Sequence, residues 1–126
     1  KNARVARFHA TELTKLFSEN EINDVFIHFP DPWEKRKQNK HRLIQTQFLE
    51  SLFKMQNSGS QLEFKTDHKD YFRHSLKVFK KGPYRVDGFS EDLHHSPFAE
   101  ANFETHFEKI FLRKGQPIYF ARLIKV

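Results

Sequence analysis

Residues 29–42 read Phe-Pro-Asp-Pro-Trp-Glu-Lys-Arg-Lys-Gln-Asn-Lys-His-Arg and hold much of the chain's chemistry-bearing side chains. Asp31 is a carboxylate set between Pro30 and Pro32. It directly follows the apolar run Val25 to Phe29 and lies beside the single tryptophan, Trp33. Five Lys/Arg and one His then fall within the eight residues Lys35 to Arg42. A rigid anionic acceptor backed by a dense cationic run predicts a site at a strand end facing a polyanion. Plainer roles stand beside this one. Asp31 can stabilise the Pro-Asp-Pro turn, Trp33 can stack on a base or lock the turn by packing, and the cations can form a solvated loop. Asp67 ends a strand-like segment and opens a helical one, which is an N-cap position. Thr105-x-x-Glu108 has the spacing of a capping box. His94-His95 and the other histidines lack metal-ligand spacing, and no metal is expected.

The elements that must position these residues are readable from periodicity. Ala3 to Phe8 reads as a short strand, and Thr11 to Phe17 as helical through Leu13, Leu16 and Phe17. Val25 to Phe29 is a β-rich apolar run of the kind found in a central parallel strand. Leu43 to Met55 is helical, with Ile44, Phe48, Leu52 and Met55 on one stripe, and Asn57-Ser58-Gly59 ends it. Gln61 to Thr66 alternates as a strand does. Lys69 to Phe79 is helical, with Phe72, Leu76 and Phe79 inward. Residues 81–101 read as irregular. Phe103 to Lys114 reads as a helix that buries Phe103, Phe107 and Phe111, and Pro117 to Val126 as a last strand. The order β-α-β-α-β-α-α-β predicts an α/β domain with a parallel sheet and helices on both faces. Ligands in such sheets bind at the carboxyl ends of strands, where Asp31 and Asp67 fall.

The bulk composition fits one domain of 126 residues, with fifteen Phe to fill a core and a formal charge of +6 that favours an anionic partner. There is no Cys, which excludes thiolate catalysis and disulfides. No apolar run is long enough to span a membrane. The lack of Cys makes a cytoplasmic protein the expectation, and no signal peptide is visible. The chain opens on Lys1 inside a strand-like segment, which suggests that a longer protein continues upstream.

Several segments together resemble the bacterial tRNA (guanine-N7)-methyltransferase family. They are Phe29-Pro30-Asp31-Pro32-Trp33, the cationic run into Asn39-Lys40-His41-Arg42-Leu43, Phe64-Lys65-Thr66-Asp67, Thr105 to Phe111, and Gly115-Gln116-Pro117-Ile118-Tyr119. They lie in the family's order and span nearly the whole chain. The resemblance implies a Rossmann-like S-adenosylmethionine-dependent methyltransferase fold, an α/β/α sandwich with a mostly parallel sheet. The 126 residues would be its C-terminal part, with the N-terminal strands missing. The implied reaction is methyl transfer from S-adenosylmethionine to N7 of a guanine in the tRNA variable loop. The resemblance assigns Asp31 to the active site and to the donor, and Lys35 to the substrate. It gives Lys37, Gln38, Asn39, Lys40, His41 and Arg42 to RNA and Asp67 to the tRNA substrate. Thr105, His106, Phe107 and Glu108 go to the target-nucleotide pocket, with Glu108 able to accept from guanine donors. His9 falls where the family often has an acid near the donor's adenine, so contact there would use backbone. Nothing in the chain resembles the family's glycine-rich donor loop.

Guanine N7 already carries an in-plane lone pair, so no base is required. Rate then rests on in-line positioning and on fixing the guanine, whose N1–H and N2–H₂ edge an ionised Asp31 can accept. Two other classes compete. One is a non-catalytic tRNA-binding module that grips RNA through the cationic run. The other is a metal-dependent nuclease, since Pro30-Asp31 with Glu63-Phe64-Lys65 fits a degenerate P-D…E-x-K pattern and alternation puts Glu63 and Lys65 on one strand face. The sequence fits a monomer as well as a homodimer.

Overall fold

The computed structural model describes residues 2–126. Strand β1, Val25–His28, pairs in parallel with β2, Gln61–Thr66. Between them lies helix α1, Thr46–Met55, whose Phe48, Leu49, Leu52 and Met55 are buried at helical spacing. The chain then turns through Gly59, at a φ of +86° that suits glycine, and enters β2. Helix α2, Lys69–Lys81, follows and buries Tyr71, Phe72, Leu76 and Phe79.

Beyond α2 the structure departs from the reading by periodicity. Arg85–Ser90, within the stretch expected to be irregular, is a strand, β3. Gly88 and a register shift between Val86 and Gly88 interrupt its alternation, which is why no strand pattern shows. Helix α3, His106–Arg113, leads to the last strand, β4, Tyr119–Ile124. The sheet order is β1-β2-β4-β3, and β4 runs antiparallel to both β2 and β3. The domain is α/β as expected, but the sheet is mixed, with β1·β2 its parallel pair. Strand direction is decided by how β4 enters between β2 and β3, which periodicity does not encode. Residues 3–8 form no strand. A short extended segment becomes one only where a neighbour takes its backbone groups. A 3-10 turn over Ala10–Lys15 stands where the first helix was expected.

Val25, Ile27, Leu62, Phe64, Ala121 and Leu123 turn one sheet face toward α1 and α2 and form the main core. On the opposite face Leu93, Ile118 and Phe120 make a smaller cluster with Phe29, Phe98 and Phe111. Of the three phenylalanines expected to be buried by α3, only Phe111 packs inward. Phe103 is 82% and Phe107 57% exposed. The helix starts at His106, so helical spacing does not extend back to Phe103. Among the described residues no helix is long and apolar enough to cross a membrane.

Candidate active site

The segment after β1 is a strained turn held from outside. Phe29 and Trp33 take φ values of +55° and +46°, a region costly for bulky side chains, on either side of Pro30-Asp31-Pro32. The Phe29 N–H donates to the Lys65 carbonyl at 2.8 Å, and its ring packs on Phe111 at 5.3 Å between centroids. The Trp33 indole meets the His41 ring at 5.0 Å. Arg42 Nε donates to the Pro32 carbonyl at 2.7 Å and its Nη2 to Asp70 at 3.1 Å, with the guanidinium 4.9 Å from the Tyr71 ring centroid. Burial pushes the Tyr71 hydroxyl up, against the lowering effect of its hydrogen bonds to Ile44 and Leu43 and of the Arg42 charge. The Asn39 amide nitrogen, in the orientation its surroundings require, donates to the carbonyls of Trp33 at 2.9 Å and Lys35 at 3.2 Å. Gln45 Nε2 donates to the carbonyls of Asn39 and Arg42. A His68–Glu34 contact at 3.3 Å joins the turn to the start of α2.

Asp31 is therefore not what stabilises its own turn. Its side chain is exposed and, among the described residues, receives no hydrogen bond and no ion pair. Asp67 is similar. The N-cap of α2 is His68, whose ring accepts from the Tyr71 N–H at 3.1 Å, so the capping role expected of Asp67 belongs to its neighbour. The Asp67 carboxylate is left half-buried at the carboxyl end of β2.

The cationic run is ordered rather than a loose loop. Arg36–His41 forms a 3-10 helix closed by the Arg42 N–H on the Asn39 carbonyl. Lys35, Arg36, Lys37, Lys40 and His41 are exposed, and Gln38 and Asn39 half-buried. Arg42 corrects the expectation that all these cations meet phosphate. Its side chain is 1% exposed in the pair with Asp70, because its donors are needed by Pro32 and Asp70. Asn39 likewise serves the turn. With an RNA as the polyanion that the sequence reading expects, replacing Lys35, Lys37 and Lys40 together with Ala is expected to flatten the salt dependence of RNA binding. The log–log slope should fall by about 2 to 3, at roughly 0.7–0.9 per phosphate contact. Titrations across a potassium chloride series read this directly, and an unchanged slope would rule out the contacts.

Asp31, Lys40, His41 and Arg42 line an open cleft of about 820 Å³, together with His9 and Phe8 from the N-terminal segment. His9 caps the 3-10 turn after it, its ring accepting from the Thr11 N–H at 3.4 Å. Lys35, Lys37, Gln38 and Asn39 adjoin this cleft along the chain. Thr105 to Glu108 do not line it. Thr105 borders a second hollow of about 510 Å³ on the opposite sheet face, with Phe26, His28, Glu63, Phe103 and Arg122. The capping box is formed: Glu108 N–H donates to Thr105 Oγ1 at 3.3 Å and Thr105 N–H to Glu108 Oε1 at 3.4 Å.

Glu108 is fully buried and its carboxylate has four donors. They are Lys65 Nζ at 2.5 Å, Asn102 Nδ2 at 3.1 Å, His94 Nε2 at 3.2 Å and the Thr105 N–H. Burial pushes its pKa up, but the hydrogen bonds from Lys65, Asn102 and Thr105 and the Lys65 charge outweigh that, and the net lies below the ordinary value. His94 and Asn102 escaped sequence reasoning because a loop of this kind has no period. Lys65 left a signal, a lysine between Phe64 and Thr66 in a strand flanked by apolar positions. The nuclease pattern fares poorly here. Lys65 is paired with Glu108, Glu63 with His28 at 2.8 Å, and among the described residues no three His, Cys, Asp or Glu converge on one point.

Comparison with known proteins bears on what this arrangement is. A family model described as "Putative methyltransferase" matches residues 1–121. The chain is 47% identical over its whole length to the tRNA (guanine-N(7)-)-methyltransferase of Bdellovibrio bacteriovorus, of which it covers 60%. It is 35% identical over 97% of its length to the protein of that name in Bacillus subtilis, covering 57% of it. The chain thus spans well under two thirds of these relatives. Among solved structures, a Thermus thermophilus protein recorded as a "Putatative DNA Modification Methylase" superposes with a TM-score of 0.52. That match has 14% identity and covers 92% of this chain and 50% of that one, and it supports the fold alone. The carboxylates at the ends of the two parallel strands, unpaired among the described residues, thus sit in a methyltransferase-like α/β fold, and with the match over residues 1–121 the chain belongs to that methyltransferase family.

Proposed function

We propose that this chain carries the guanine-fixing and tRNA-binding part of a cytoplasmic tRNA (guanine-N7)-methyltransferase. The observation that carries the reading is the exposed Asp31 carboxylate, without a partner among the described residues, on a strained turn that Arg42 and Asn39 hold in place. A carboxylate kept free at such structural cost is available to a ligand. S-adenosylmethionine, when bound, supplies an electrophilic methyl group on a sulfonium. The residues present fit that donor: the cleft has ligand size, Asp31 among its lining residues, and Phe8 as an apolar wall. His9 and its neighbours offer backbone toward the adenine end.

The protein's own work is positional. Asp31 accepts from the guanine N1–H and N2–H₂ edge, which turns the N7 lone pair toward the methyl group. No proton has to leave N7. Lys35, Lys37 and Lys40 meet phosphates and hold the tRNA in register, and Asp67 offers a second acceptor at the neighbouring strand end. Thr105, at the second hollow, offers the tRNA a contact apart from the guanine edge that Asp31 holds.

The test is to incubate the full chain with S-adenosylmethionine and an unmodified tRNA transcript and assay for 7-methylguanine. A transcript carrying 7-deazaguanine at the target serves as control. Product from the first and none from the second supports the reading. Calorimetry with the donor separates the rival class, since tRNA binding without donor binding would mark a non-catalytic tRNA-binding module.

A further inference from the structure

We propose that Lys65 is a positioning residue of the methyl-transfer site, fastening the Asp31 turn and the start of α3 to one point on β2. The proposal rests on the reading above. The Lys65 backbone carbonyl accepts from Phe29 N–H at 2.8 Å, where the turn begins. Its Nζ donates to the Phe103 carbonyl at 3.0 Å and to Glu108 Oε1 at 2.5 Å, in the segment that carries Thr105 to Phe107. The Phe29 ring closes the loop by packing on Phe107 and Phe111, at centroid distances of 6.2 and 5.3 Å. Two pieces of the site that lie on opposite sheet faces thus share one anchor.

The chemistry of the pair points to registry. Lys65 is 1% and Glu108 0% exposed. Taking both charges out of water costs nearly what their attraction returns, and an apolar pair of similar volume often serves stability as well. A charged pair, unlike an apolar one, fixes direction: it admits one lateral and rotational setting of α3 over β2. Glu108 is also saturated. A carboxylate offers about four acceptor positions, and Lys65, Asn102, His94 and Thr105 fill them. Glu108 therefore acts through its neighbours rather than on the base. The exposed groups whose placement Lys65 sets are His106 and Phe107.

The experiment uses the full chain with S-adenosylmethionine and unmodified tRNA transcript, and reads steady-state kinetics and amide hydrogen exchange. The double variant Lys65→Met/Glu108→Leu removes the pair without stranding a charge. It is expected to lower kcat at least about tenfold, with KM for tRNA within about twofold. Exchange at residues 101–107 is expected to rise, while the Phe29 N–H, bound to the residue-65 backbone carbonyl that the substitution keeps, and α1 stay as in the parent. Lys65→Arg, which keeps a cation opposite Glu108, is expected to restore most of kcat. Should the apolar pair fail to fold, Lys65→Gln/Glu108→Gln carries the same comparison. Parental kcat in the double variant, or unchanged exchange at 101–107, overturns the proposal. A parent chain that methylates no guanine sinks the methyl-transfer reading alone, and the exchange measurement then decides by itself whether Lys65 holds the two segments.

Discussion

Asp31→Ala is expected to lower turnover on tRNA by on the order of 10²- to 10³-fold while leaving tRNA affinity within about twofold. The split follows from the geometry. Asp31 is exposed and has no partner among the described residues, so its removal strands no buried group and leaves the Arg42–Pro32 and Asn39–Trp33 contacts in place. The folding midpoint should hardly move. In the proposed function phosphate affinity resides in Lys35, Lys37 and Lys40, which the substitution does not touch. What is lost is the acceptor that the proposed function assigns to the guanine edge, an interaction that matters when N7 must point along the methyl–sulfur axis. Asp31→Asn is expected to fall between parent and Ala, because an amide offers one acceptor oxygen in place of two. Single-turnover kinetics with a parallel tRNA-binding titration check this. An equal loss of affinity and turnover would make Asp31 a binding residue and remove the positional mechanism.

The largest expected effect on stability is at Glu108. Glu108→Leu leaves the Lys65 ammonium buried without its counter-charge, and breaking such a pair costs about 3–5 kcal/mol. Urea denaturation of the variant should show that loss. Removing the exposed Lys15–Glu12 pair, by contrast, should cost under about 1 kcal/mol. The pH dependence has a definite sign. The Glu108 carboxyl sits below its ordinary value, because the donors from Lys65 and Asn102 outweigh the upward push of burial. A depressed carboxyl contributes stability that is present above its unfolded value and lost as pH falls through the folded one. The parent should therefore lose stability below the usual carboxylate range, and Glu108→Gln should lose less over the same interval. A Glu108→Leu cost under about 1 kcal/mol would mean that the pair is effectively solvated.

Much of this was legible in the sequence because it is local. Proline on both sides of Asp31 fixes the backbone wherever the segment lies. The stripes of Phe48, Leu52 and Met55 and of Phe72, Leu76 and Phe79 place α1 and α2 on one side of β2. The spacing of Thr105 and Glu108 is the capping box that α3 forms. Tertiary structure decided what depends on partners distant in the chain. Nothing local shows that Arg42 turns inward to Pro32 and Asp70 while its neighbouring lysines stay in water, since all are cations on one short segment. Helix α2 begins at Lys69 as its periodicity predicts, and the capping by His68 rather than Asp67 is decided by which side chain reaches the Tyr71 N–H. The direction of β4 and the existence of β3 are set by pairing, and pairing energy belongs to two strands at once. The sequence by itself determined the α/β pattern, the Pro-Asp-Pro turn and the cationic run, because each is written in consecutive residues. Only the fold decided which of those charges are free to meet a ligand and which are bound to one another, because burial and hydrogen-bond saturation are properties of the packed chain.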